Sequence, residues 1–166
     1  MKQFGLREDM IVADLGAGTG FYAIPAGEIV SSGKVYAIEI NKDFLKTITH
    51  KIKDHHLNNV DVILGDVERK GGTKIADSVV DAVIVSNILF QVNDKINCLK
   101  EINRILKPKG KVLLIDWDSD IFVGTMKSRF VSKDQAQKIF VDHGFLFDRE
   151  IDAGEHHYGI IFFKGQ

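Results

Sequence analysis

Cysteine is nearly absent from this chain of 166 residues: Cys98 is the single one. An internal disulfide and a thiolate zinc cluster are therefore excluded, and a reducing cytoplasm is the compartment expected. Proline occurs twice, at Pro25 and Pro108, so there is no proline-rich linker. No apolar run nears the roughly 18 residues of a membrane span. The opening "MKQFGLRED" lacks an apolar core of signal-peptide length, so a protein neither exported nor membrane-inserted is expected. Charge of one sign is missing too. Lys and Arg total 22 against 23 for Asp and Glu, which gives no support to nucleic acid as a partner. The length suits a single domain spanning 1–166 with a sizeable core.

What is present is an alternation. The runs "MIVADL" (10–15), "KVYAIEI" (34–40), "VDVILG" (60–65), "VVDAVIVS" (79–86) and "KVLLID" (111–116) are rich in Val and Ile and apolar on both faces. Strands of a parallel sheet covered by helices on both sides read this way. The stretches between them have helical spacing. Asn41 caps a helix carrying Phe44, Leu45, Ile48 and Ile52, and another runs from Asp94 to Leu106, ended by Pro108 and Gly110. Ser132 and Gln135 make a capping box for a third, closed by Gly144, while 67–78, with "KGG" inside, is at best a short or distorted helix. Two strand-like runs joined by a short connection, "FLFDREI" (145–151) and "YGIIFF" (158–163), end the chain as an antiparallel hairpin. The expected fold is α/β: a doubly wound, Rossmann-like, mostly parallel sheet with helices on both faces and a C-terminal hairpin.

The stretch "DLGAGTGFY" (14–22) follows the first strand. Glycine lets a ligand approach the backbone, and a strand, a glycine loop and a helix N-terminus together make a nucleotide site. Glu39 lies about 20 residues on, where a carboxylate can accept hydrogen bonds from both hydroxyls of a ribose. The spacing is G-x-G-x-G, through Gly16, Gly18 and Gly20, rather than the dinucleotide pattern G-x-G-x-x-G. Asp14 beside it would repel a pyrophosphate yet hold an ammonium group.

These residues resemble the class I S-adenosylmethionine-dependent methyltransferases over nearly the whole chain. "VADLGAGTG" is similar to the family's first motif, with Glu39 as its ribose-binding acid. "GDV" (65–67) resembles the loop that places a carboxylate, here Asp66, near the adenine amino group with Val67 at the ring edge. "SNILFQV" (86–92) resembles the segment after strand four, and "LKEINRILKPKGKVLLIDW" (99–117) the helix and fifth strand of the branch that methylates small molecules and quinone precursors. The resemblance implies S-adenosylmethionine as cofactor, bound by Asp14, Gly16, Ala17, Gly18, Gly20, Tyr22, Glu39, Ile40, Asp66, Val67 and Asn87. It implies an unidentified, small-molecule methyl acceptor and no dedicated base or metal. "SNIL" departs from the tetrad of enzymes that methylate exocyclic amines, which argues against those acceptors.

About nine residues precede the first strand, and "SDIFVGTMKSRFV" (119–131) is short where the family often inserts substrate-binding elements. A reduced lid is expected, which leaves three readings open: a large or macromolecular acceptor, a partner or second copy that completes the lid, or a truncated, weakly active protein. In "DWDSD" (116–120), Asp116 and Asp118 can orient a substrate or bind a hard cation, but a solvated acidic turn is the simpler reading. The adjacent pairs His55–His56 and His156–His157 lack metal-ligand spacing and read as exposed or capping residues. Cys98 reads as a buried small side chain, and Trp117 as packing or a substrate wall. Two alternatives stay open: a non-catalytic cofactor-binding module, and a nicotinamide-dependent oxidoreductase.

Overall fold

A computed structural model describes residues 2–118 and 130–165. Seven strands form one sheet: β1 (Ile11–Leu15), β2 (Lys34–Glu39), β3 (Val60–Leu64), β4 (Val80–Ser86), β5 (Leu106–Trp117), β6 (Phe145–Asp152) and β7 (His157–Lys164). Their order is β3-β2-β1-β4-β5-β7-β6, parallel through β5 and antiparallel in the closing hairpin. The hairpin enters with its apolar strand inward. Tyr158 to Phe162 of β7 are buried between neighbours, whereas Asp148, Arg149 and Glu150 put charge on the edge strand β6, where it discourages pairing with another chain.

The helices are α1 (Ala23–Ile29), α2 (Lys42–Asp54), α3 (Lys95–Ile105) and α4 (Lys133–Asp142). Alternate strand residues feed two cores. Val12, Ala37, Ile84 and Leu113 pack with Ala23 and Ala26 of α1 and Ile48 of α2. Ala13, Val83, Val85 and Leu114 pack with Leu99 and Ile102 of α3 and Phe140 of α4. The sheet is covered on both faces as expected. Asn41 caps α2, the Ser132–Gln135 capping box opens α4, and Gly144 follows α4 at φ 89°.

Two stretches differ from the sequence reading. The helix expected through Leu106 stops at Ile105, and Leu106 is already extended at φ −69° and ψ 134°. Pro108 has no N–H to give a continuing helix and keeps Lys107 before it out of helical backbone, so the chain turns extended ahead of it. Lys107–Gly110 stand opposite Asp81 alone, and the three extra residues are absorbed as a bulge, with register passing from Val80↔Leu106 to Ala82↔Lys111. Segment 67–78 holds no helix at all. Lys74 and Ser78 are left-handed, at φ 60° and 55°, and the segment is pinned to α3 instead.

The pin is Glu101, 1% exposed. It accepts the Gly71 N–H at 2.9 Å, the Thr73 N–H at 3.2 Å and the Thr73 hydroxyl at 2.6 Å, and it pairs with Arg104 Nη2 at 2.7 Å. Burial would raise its carboxyl, but the bonds from Arg104, Thr73 and Gly71 outweigh it and hold the group down at about 2. That depression adds stability which is present above pH 4.5 and lost as pH falls toward 2. Glu101→Ala leaves Arg104 with Asp77 alone as an acidic partner and strips the buried Gly71 and Thr73 donors of their acceptor, and urea denaturation should show a loss of about 3 kcal/mol. A variant as stable as the wild type would show that the pin carries nothing.

Residues 119–129, most of the short segment expected before α4, lie outside the described residues.

Candidate functional site

Strand order reverses between β1 and β4, and the crevice outside the strand ends there is where open α/β sheets bind ligands. A cavity of about 510 Å3 occupies it. All the expected cofactor residues line it except Gly20, which sits behind the wall with its Cα facing Ile24 and Ile48.

The glycines serve different ends. Gly16, Gly18 and Gly20 all have positive φ, at 67°, 53° and 84°. A Cβ on Gly16 would lie 2.4 Å from Cγ2 of Ile88, so closeness of the chain itself demands glycine there. A Cβ on Gly18 would meet nothing nearer than 3.9 Å, so that position opens on the cavity. The helix N-terminus after the loop reaches the cavity through its N-cap Tyr22, but its first N–H is taken by the chain itself. Helix α1 starts at Ala23, three residues past Gly20, and its Ala23 N–H is given to Asp14.

Asp14, near the end of β1, is 2% exposed, and its Oδ2 has no hydrogen-bond partner among the described residues. Burial above all pushes its carboxyl up to about 7; the Ala23 N–H opposes this and the charge of Glu39 adds to it. Glu39, at the end of β2, accepts N–H groups from Ile40 and Asn41 on Oε1, both at 2.8 Å, and from Gly18 on Oε2 at 2.9 Å. A carboxylate has about four acceptor positions, so one remains at Oε2. A single ribose hydroxyl can be taken directly there, rather than both.

Asp66 lines the cavity but is engaged: Oδ1 accepts the Glu68 N–H at 3.0 Å and Oδ2 pairs with Arg69 at 3.0 Å. The Arg69 side chain is 81% exposed, so the pair is easily opened. Asn87 follows β4 at φ 54°, and its buried Oδ1 has no partner among the described residues. The Tyr22 hydroxyl bonds to Ser86; burial first, then the charge of Asp14, raise it against that bond. Ile40, 65% exposed, and Phe44, 40% exposed, form an apolar rim with half-buried Val67. Phe44, Ile88 and Gln91 are lining residues that the sequence reading missed. An apolar side chain in the first exposed turn after the Asn41 cap was the available signal for Phe44.

Outside the cavity, the acidic turn reading of "DWDSD" fails at its first residue. Asp116 ends β5 and is 2% exposed. Trp117 stacks on His157 at 4.1 Å between ring centroids, so His157 is half-buried rather than exposed. His55 does cap α2, and its Nδ1 lies 2.9 Å from Glu28. Cys98 is buried, and desolvation pushes its thiol up to about 12, which leaves it unreactive. Among the described residues no group of His, Cys, Asp or Glu is arranged to hold a metal, and no helix is long and apolar enough to cross a membrane.

Two unpartnered acceptor oxygens, an open glycine and an apolar rim fit an adenosine joined to a cationic tail. The methyltransferase domain family model matches residues 6–147. The chain belongs to that family. It is 30% identical over 125 residues to a demethylmenaquinone methyltransferase of Geobacillus sp. (strain WCH70), covering 75% of this chain and 52% of that protein. It is 31% identical over 120 residues to the ubiquinone/menaquinone biosynthesis C-methyltransferase UbiE of Haemophilus ducreyi, covering 71% and 45%. The chain thus spans about half the length of the curated relatives it matches. A SAM-dependent methyltransferase from Aquifex aeolicus superposes with a TM-score of 0.88 at 27% identity, covering 98% of this chain and 86% of that one. The methyltransferase fold accounts for the sheet order and the closing hairpin together.

Proposed function

We propose that this methyltransferase-family chain, acting as a single domain, binds S-adenosylmethionine in the crevice and transfers its methyl group to a small acceptor. The observation that carries the reading is Asp14 Oδ2, a buried acceptor with no partner among the described residues. An ammonium group satisfies it. Glu39 Oε2 takes a ribose hydroxyl, Asp66 the adenine amino group once Arg69 swings away, and Ile40 and Val67 enclose the ring.

S-adenosylmethionine, when bound, supplies an electrophilic methyl carbon on a sulfonium whose departure as a neutral thioether needs no acid. The chain's part is to orient the reactants and to exclude water, with Asn87 and the Tyr22–Ser86 pair beside the tail. No side chain is assigned as a base, because an electron-rich acceptor does not require one.

For the acceptor we favour an apolar ring compound of the quinone-precursor class. The curated relatives' names support this, and so does a groove of about 610 Å3 walled by Pro25, Leu113, Ile115, Ile151 and Ala153. It adjoins the crevice at Phe21 and Tyr22, which line both. The single inert thiol suits a cytoplasmic setting.

S-adenosylhomocysteine should raise the thermal midpoint whereas NAD should not, and labelled methyl should pass from the cofactor to a demethylmenaquinone-type acceptor. Stabilisation by NAD alone would overturn the cofactor. Tight S-adenosylhomocysteine binding without transfer to any ring acceptor would leave a binding module in place of an enzyme.

A further inference from the structure

Asp116 does not line the crevice, yet it is tied to the segment that does. Its Oδ2 accepts the Leu89 N–H at 3.0 Å and its Oδ1 the Trp117 N–H at 2.8 Å. One residue earlier, the Ile115 carbonyl accepts the Asn87 N–H at 2.9 Å. The stretch Asn87–Val92 is thus fastened to the end of β5 at two points. The fastening bears on the glycine loop, because Ile88 lies between the two points and is the side chain that fills the space beside Gly16. It also anchors Asn87, which sits in left-handed backbone at φ 54°, a region asparagine adopts more readily than other non-glycine residues.

We propose that Asp116 is a positioning residue: as a carboxylate it clasps Asn87–Val92 against the glycine loop, and once neutralised it loosens its hold. An anionic oxygen accepts N–H groups more strongly than a neutral carboxyl does. Desolvation raises this group to about 6, against the N–H groups of Trp117 and Leu89 and the charge of Lys95, so it changes state in an accessible range. Among the described residues Tyr158 on β7 also faces it, opposite in register. Its hydroxyl donates to the Val131 carbonyl at 3.1 Å and is raised by burial and by the charges of Asp116 and Asp118. The global and local effects of acid have opposite signs. The contribution to stability from a raised carboxyl is full below pH 3.8 and is lost as pH rises through about 6, so acid favours the fold. The same proton weakens the bond to Leu89.

Amide hydrogen exchange on the ligand-free chain tests this, read as protection factors for residues 86–92. Protection at Leu89 should fall about tenfold between pH 8 and pH 5 in the wild type, the worth of one charge-assisted bond. In Asp116→Asn it should be low at both pH values. Wild-type protection in that variant at pH 8, or no change with pH in the wild type, overturns the clasp. The binding consequence rests on the cofactor reading above: affinity for S-adenosylhomocysteine at pH 8 should drop about tenfold in Asp116→Asn while the thermal midpoint holds or rises. Lost protection with unchanged affinity would overturn positioning. A wild type that binds no S-adenosylhomocysteine would instead overturn the cofactor reading, with the exchange data still deciding the clasp.

Discussion

Asp14→Asn should raise the thermal midpoint of the ligand-free protein at pH 8 and abolish S-adenosylhomocysteine binding. The ligand-free fold carries a buried carboxylate whose Oδ2 has nothing to accept. Its carboxyl is raised from 3.8 to about 7, so the stability it contributes is full below pH 3.8 and is lost as pH rises through about 7. Above that, holding the charge costs roughly 4 kcal/mol, at about 1.4 kcal/mol per pH unit. Asparagine carries no charge and keeps an oxygen for the Ala23 N–H, but its buried amide donors then need partners. A net gain of about 2 kcal/mol is expected. Calorimetric midpoints at pH 5 and pH 8 check this, since the advantage of the variant should shrink at the lower pH. Binding goes the other way, because the ligand's ammonium needs the ionised form. Below pH 7 the wild type should release a proton on binding, visible as an enthalpy that depends on the buffer. A variant that is less stable at pH 8 and binds normally would remove Asp14 from the site.

The glycine loop offers an equally large effect with a contrast built in. Gly16→Ala drives a methyl group to 2.4 Å from Ile88, at φ 67°. Overpacking and left-handed strain together should cost about 3 kcal/mol, and displacement of Ile88 should take ligand binding with it. Gly18→Val meets no neighbour within 3.9 Å of its Cβ. It should lose only about 1–2 kcal/mol to strain while its side chain enters the cavity and lowers affinity at least about 100-fold. Urea denaturation beside titration calorimetry separates the two. If both variants lose stability equally, Gly18 belongs to the packing and not to the ligand.

The sheet was legible because its signals are local. Five Val- and Ile-rich runs became β1 to β5, and the short link between the last two runs announced the hairpin. The caps at Asn41 and Ser132 were legible for the same reason, since a side-chain oxygen reaches only two or three residues along. Among the site residues, the glycine spacing and Glu39 could be read from their distances along the chain. What misled was also local. "KGG" weakened a helix at 67–78, but nothing nearby reveals that Glu101, some 30 residues on, accepts the donors of the loop that takes its place. Pro108 does follow the end of the helix as expected, but nothing local shows that it also lies in a bulge within β5. "DWDSD" reads as a solvated turn because charge clusters usually are, yet β7 and the segment after β4 close over its first residue.

By itself, then, the sequence determined the run of strands along the chain, the helices that became α2, α3 and α4, the glycine loop and the acid after β2. Hydrophobic period, capping and turn chemistry act within a few residues and survive translation into one dimension. Only the tertiary structure decided which carboxylates work as charges under strain: Asp14 and Asp116 raised by burial, Glu101 lowered by its donors. Desolvation belongs to a filled volume, and that volume is assembled from segments tens of residues apart.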